Sequence, residues 1–165
     1  MGFIEFQNME GCGFKMNKKV LLCANHSVVE PLGLLHLSKI AEEEGWTPKI
    51  SLVKNYDFNK LDNLVDEFNP EIIGFTLYTG NHVQTFSYLD NLKKRKSNIG
   101  IVLGGPHPTY FPAESKKHSD YVVISEGFNM FRRILNKDVS PGILALEKQE
   151  RFPVPSRENF YKDYP

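Results

Sequence analysis

No apolar run in the chain approaches the roughly 18 residues that a membrane span requires, and the first fifteen residues lack a charged segment followed by a hydrophobic one. The sequence therefore reads as neither membrane-anchored nor secreted, and a cytoplasmic protein is expected. Cysteine is scarce: Cys12 and Cys23 are the two in 165 residues, too few for a metal site of their own or a disulfide framework. Cys23 falls in an apolar strand pattern, the usual place for a small buried thiol. Surplus charge is missing too. Twenty basic residues balance twenty acidic ones, and no basic stripe of the kind that neutralises a phosphate backbone is present, so nucleic acid is not an expected partner. The cluster Lys93-Lys94-Arg95-Lys96 closes a helical pattern, where cations meet the negative end of the helix dipole, and reads as a solvated cap.

Phosphate cradles are absent as well. There is no G-x-G-x-x-G after the first strand and no G-x-x-x-x-G-K-[ST], which weakens dinucleotide, flavin and triphosphate readings. Neither does any histidine or carboxylate come with an identifiable nucleophile. Ser27 beside His26 is adjacency in sequence, which is not triad geometry, so no catalytic residue is assigned.

What is present is a regular alternation. Val20 to Ala24, Lys49 to Val53, Ile72 to Leu77, Ile99 to Leu103 and Tyr121 to Ile124 are short apolar runs suited to strands. Between and after them, Pro31–Glu44, Phe58–Phe68, Val83–Lys96, Pro112–His118 and Phe128–Leu135 space apolar residues as helices do. Buried strands alternating with amphipathic helices predict an α/β fold, a Rossmann-like or flavodoxin-like three-layer sandwich on a five-stranded parallel sheet of order 2-1-3-4-5. Residues 18–138 form this domain. Residues 1–17 read as an extension and 139–165 as a linker or docking tail. The tail carries Phe152-Pro153-Val154-Pro155 and then Phe160, Tyr161 and Tyr164, rings that need a surface to pack on.

In an open parallel sheet a ligand sits beyond the carboxyl ends of the strands, near the point where strand order reverses. Four segments meet there: Asn25 to Gly33, Thr76 to Asn81, Gly104 to Thr109 and Ser125 to Gly127. All are rich in glycine, hydroxyls and amides, whereas the opposite edge carries Lys, Glu and Asp. The Gly104-Gly105-Pro106-His107-Pro108 stretch reads as a stiff wall, because glycines admit close backbone approach and prolines fix the exit. His26, His82 and His107 lie on this edge. His36 reads as a partly buried helix side chain and His118 as a surface one.

In order and spacing, four segments resemble the amino-terminal cobalamin-binding domain of B12-dependent radical SAM enzymes. They are Glu30-Pro31-Leu32-Gly33-Leu34-Leu35-His36-Leu37, Ile72 to Asn81, Ile101 to Thr109 and Asp120 to Gly127. The resemblance covers roughly 18–136, and the tail is similar to the connector that leads into the radical SAM barrel. It implies cobalamin as cofactor, held by Glu30, Pro31, Leu32 and Gly33, by Thr76, Tyr78, Thr79, Gly80 and Asn81, by Gly104, Gly105, Pro106, His107 and Thr109, and by Ser125, Glu126 and Gly127.

A radical SAM barrel, as domain or separate protein, is the implied partner. The resemblance stops short of the chemistry, for the C-x-x-x-C-x-x-C motif is absent and no [4Fe-4S] cluster is expected in this chain. The D-x-H-x-x-G pattern of histidine-ligating relatives is also missing, since Ala24 stands two before His26 and Gly33 seven after it. Phe128 follows Glu126-Gly127 where the family tends to be acidic. A module without catalysis of its own is the leading expectation. The alternative is a ligand-free remnant or protein-interaction domain of the same fold, which the aromatic tail suggests.

Overall fold

The computed structural model of the chain describes residues 18–25, 30–145 and 153–164. The expectations placed on residues 1–17, among them Cys12, and on His26 and Ser27 lie outside these residues. The elements run β1 (Lys19–Asn25), α1 (Leu32–Glu43), β2 (Thr47–Val53), α2 (Asn59–Phe68), β3 (Ile72–Thr76), α3 (His82–Arg95), β4 (Gly100–Gly104), α4 (Pro106–Tyr110), α5 (Pro112–Ser115), β5 (Tyr121–Ile124), α6 (Phe128–Leu135), β6 (Gly142–Ala145) and α7 (Glu158–Asp163). A 3-10 turn, Lys116–His118, follows α5.

All strand pairs are parallel, in the order β2-β1-β3-β4-β5-β6. The five expected strands stand in the expected order, but among the described residues the sheet has six. Gly142 to Ala145 extends it beyond β5, pairing Tyr121 with Gly142 through Ile124 with Ala145. This strand is short and half-exposed, held chiefly by its ladder, and ladder bonds leave no side-chain period in the sequence. It lies within the segment read as a tail.

Alternate residues of each strand face opposite layers. Val20, Leu22, Ile72, Val102 and Val123 point to the layer of α1 and α6, and Leu21, Cys23, Ile73, Phe75, Ile101 and Leu103 to that of α2 and α3. Each such fully buried aliphatic side chain contributes roughly 1.5–3 kcal/mol relative to exposure. Helix ends follow their chemistry. Gly45 takes φ +74° just past α1, and α3 ends on Lys93, Lys94 and Arg95. Three cations of the Lys93–Lys96 cluster are more engaged than a solvated cap: Lys93 reaches Asp120 at 2.8 Å, Arg95 reaches Asp62 at 2.8 Å and Lys96 reaches Asp66 at 2.6 Å.

The tail folds back on its own domain. Phe160 is buried in the core cluster of α1, Trp46 and Ile50, and Tyr164 Oη accepts the Leu52 N–H at 3.0 Å on the edge strand β2. Pro153 O lies 2.5 Å from His36 Nδ1, and Ser156 N–H donates to Leu35 O at 3.1 Å. The tail rings Phe160, Tyr161 and Tyr164 have this surface, the half-exposed Tyr161 through its hydroxyl on Glu30. His36 is partly buried and hydrogen-bonded, as read. His118 is not a free surface residue: its Nδ1 stands 2.9 Å from Asp90 and its ring stacks on Phe86 at 4.2 Å.

Candidate functional site

Strand order reverses between β1 and β3, and two adjoining hollows open there at the carboxyl edge. The first, about 420 Å³, is a slot between α1 and α6 over the sheet. Leu34, Leu37, Phe128 and Phe131 wall it, and Leu22, Val102 and Val123 form its floor. Its depth comes from side chains that are missing. β3 presents Ile72, Gly74 and Thr76 to this layer and β4 presents Val102 and Gly104, so two central positions in the floor carry nothing. A glycine in the middle of a central strand marks close approach of another group, and Gly74 is the residue that strand-end reasoning missed. The signal was available in Ile72-Ile73-Gly74-Phe75.

The second hollow, about 510 Å³, lies beyond β1 and β3, lined by Asn25, Glu30, Pro31, Leu32 and Asn81 with Leu52 behind. Gly33, Leu34, Thr76 and Tyr78 border both. Asn25 is unusual among the described residues. Both amide atoms of its side chain are buried without a partner, an arrangement that costs about 1–3 kcal/mol per group unless something else pairs with them.

The four predicted loops do converge. Gly33, Thr76, Tyr78, Gly104, Gly105, Pro106, Ser125, Glu126 and Gly127 line the slot, and Glu30, Pro31, Leu32 and Asn81 line its neighbour. Thr79, Gly80, His107 and Thr109 line neither. Thr109 is a brace: its hydroxyl donates to Gly105 O at 2.9 Å and accepts the Ser125 N–H at 3.1 Å, tying the β4 exit to the β5 exit. Ser125 holds a left-handed φ of +63° there, a strain of roughly 1 kcal/mol that places the residue at the slot rim.

The glycine pair divides its work. Gly105 adopts φ +95°, and the loop is pinned by Leu77 N–H to Gly104 O at 2.9 Å and His107 N–H to Leu77 O at 3.0 Å. Gly104 keeps an ordinary φ, and an added Cβ there meets nothing closer than Val123 O at 3.8 Å. After the pair the chain forms α4, with Pro106 in the first turn, where its missing N–H costs nothing.

His107 points away from the slot into a ring cluster, stacked on His82 at 4.0 Å and on Phe111 at 5.0 Å. Burial and the neighbouring His82 hold its pKa below the usual imidazole value. Glu30 is gripped by the tail: Arg157 Nε and its terminal nitrogen donate at 2.7 and 3.2 Å, and Tyr161 Oη donates at 3.1 Å. The Arg157 hydrogen bond leads in holding the Glu30 carboxyl below the usual carboxylate range.

A profile of the B12 binding domain family matches residues 18–135. This chain belongs to that family. A Pyrococcus horikoshii protein named an uncharacterized methyltransferase is 28% identical over 110 residues, 64% of this chain and 24% of its own length. Among solved structures, a cobalamin-binding protein from Desulfitobacterium hafniense superposes with a TM-score of 0.55 at 18% identity, covering 74% of this chain and 59% of the other. The receiver domain of the stress response regulator RcsB from Escherichia coli superposes at 0.52 with 16% identity, over 79% of this chain and 99% of that domain. Both structural likenesses establish the fold, a parallel α/β sandwich. A phosphorylated receiver would want a carboxylate at the end of the third strand, and here Thr76 ends β3 with Thr79-Gly80-Asn81 beyond. The chain spans about a quarter of the methyltransferase-named relative and about three-fifths of the cobalamin-binding protein. Among the described residues no helix is long and apolar enough to cross a membrane.

The residues present fit a B12 cofactor. An apolar slot that a Cβ at Gly74 or Gly104 would narrow suits a flat heteroaromatic base. The adjoining hollow, with the unpaired Asn25 amide, suits the amide-bearing rim of a macrocycle.

Proposed function

We propose that this chain is a cobalamin-binding module that does no chemistry alone and works beside a radical SAM barrel, carried either further along the same protein or on a partner. The observation that carries the binding part is the apolar slot opened by Gly74 and Gly104 at the carboxyl edge of the family's sheet. Leu34, Leu37, Phe128 and Phe131 would pack on the nucleotide base. Thr76, Ser125 and the backbone N–H groups of Glu126 and Gly127 would serve its sugar and phosphate, offering donors without bulk. Asn25 and Asn81 would hydrogen-bond the corrin periphery. When bound, cobalamin supplies a cobalt able to carry a methyl group. The chain contributes position and shielding, and the reacting substrate would approach from the open edge. The barrel part rests on the four motifs in register and on the methyltransferase-named relative, about four times the length of the matched stretch.

Purified protein mixed with hydroxocobalamin and passed through gel filtration should elute with a corrin spectrum, and Lys94→Ala should elute likewise. A colourless eluate at high micromolar ligand overturns the binding reading. A coding region after Pro165, and co-purifying proteins, without any C-x-x-x-C-x-x-C would remove the barrel.

A further inference from the structure

On the layer of the sheet opposite the slot, α3, α4 and α5 bring together His82, His107 and Glu114, one ligand atom of each lying within 4.8 Å of the others. We propose that these three side chains form a site for a divalent transition metal ion of the zinc type, separate from the cobalamin cleft. His107 carries the argument. Its ring is 2% exposed, and its Nε2 is buried with no hydrogen-bond partner, facing Glu114 Oε2 at 3.6 Å. A buried ring nitrogen left unpaired is costly, and a metal ion or a proton shared with Glu114 is what would satisfy it.

The geometry is close to what zinc requires. Ligand atoms around a tetrahedral zinc at about 2.1 Å stand about 3.4 Å apart, so closing the set needs side-chain adjustments on the order of 1 Å. The outer contact of His107 is in place. Thr79 Oγ1 lies 3.2 Å from His107 Nδ1, able to accept its proton and leave the Nε2 lone pair outward. His82 Nδ1 accepts the Gly80 N–H at 3.1 Å in an exposed turn, so ligation through Nε2 gives up one solvent-facing hydrogen bond. Two imidazoles and one carboxylate leave a fourth position open, and nitrogen with oxygen donors favours zinc and its first-row neighbours over magnesium or calcium. The ion would clamp the α3 start to α4, directly behind the Gly104-Gly105 loop.

The test uses the full chain carrying Cys12→Ser, stripped with chelator and titrated with zinc against a chromophoric competitor. The reference chain should take up one equivalent, and its melting temperature should rise. Glu114→Gln and His82→Gln sit at positions that are not fully buried and should fold like the reference by circular dichroism. Each should weaken zinc at least about tenfold and lose the thermal gain. Failure of the reference to bind at micromolar zinc, or binding that persists unchanged in both variants, overturns the proposal. Neither outcome bears on cobalamin retention, which is read separately.

Discussion

An added Cβ on Gly105 would stand 2.9 Å from Thr76 Cγ2 and 3.1 Å from both the N and O of Leu77, so the β4 exit lies directly against the β3 exit. An added Cβ on the neighbouring Gly104 would meet only Val123 O, at 3.8 Å, an ordinary contact. Adjacent glycines thus answer to different pressures, Gly105 to backbone contact and Gly104, in the proposed function, to the ligand. Gly105→Ala should destabilise the fold by about 2 kcal/mol or more, from left-handed strain added to a clash with backbone. Gly104→Ala should change stability by less than about 1 kcal/mol. Urea midpoints of the two variants check this, and equal midpoints would refute the division.

The sheet order was legible because each buried strand carries its own apolar run and each helix its own stripe. Boundaries followed within a residue or two, as for Asn59–Phe68 and His82–Arg95. What escaped was set by tertiary contact. The sixth strand is a four-residue edge held by its ladder, and the tail rings found their surface on α1 and β2. His107 reads in sequence as one more loop residue, yet its ring turns to the α3 layer because Pro106 starts a helical turn there. Gly74 escaped for a different reason: a glycine inside an apolar strand run can be read in the sequence, but that it opens a cavity appears only once both neighbouring strands and both covering helices are placed.

Glu30 joins the α1 entrance to the tail through Arg157 and Tyr161. Its pKa is lowered in the folded state, so the contribution is present above the ordinary carboxylate range and is lost as pH falls through the lowered value. Glu30→Gln should loosen residues 153–164 at neutral pH, whereas the unsubstituted chain should loosen there only in acid. Hydrogen exchange of that segment, corrected for intrinsic rates, measures both. Exchange unaffected by the substitution would show that Phe160 and Tyr164 hold the tail unaided.

Cys23 is fully buried, and burial pushes its thiol well above the ordinary range. The unfolded chain therefore gives up this proton first as pH rises. The stabilising contribution is full below the ordinary thiol pKa and declines above it. In a Cys12→Ser background, alkylation of Cys23 should proceed no faster than global unfolding. Rapid labelling in native buffer would contradict the packing of β1 against α2 and α3.

Cobinamide, which has the corrin but lacks the nucleotide end, tests most directly the proposal that the slot accepts that end of cobalamin. Titration followed by visible absorbance should give hydroxocobalamin an affinity about 100-fold above that of diaquocobinamide, from roughly 2–3 kcal/mol of ring burial. Gly104→Leu, which fills the slot, should bring the two ligands level. Equal affinities in the unsubstituted chain, or a preference that survives Gly104→Leu, would contradict the account.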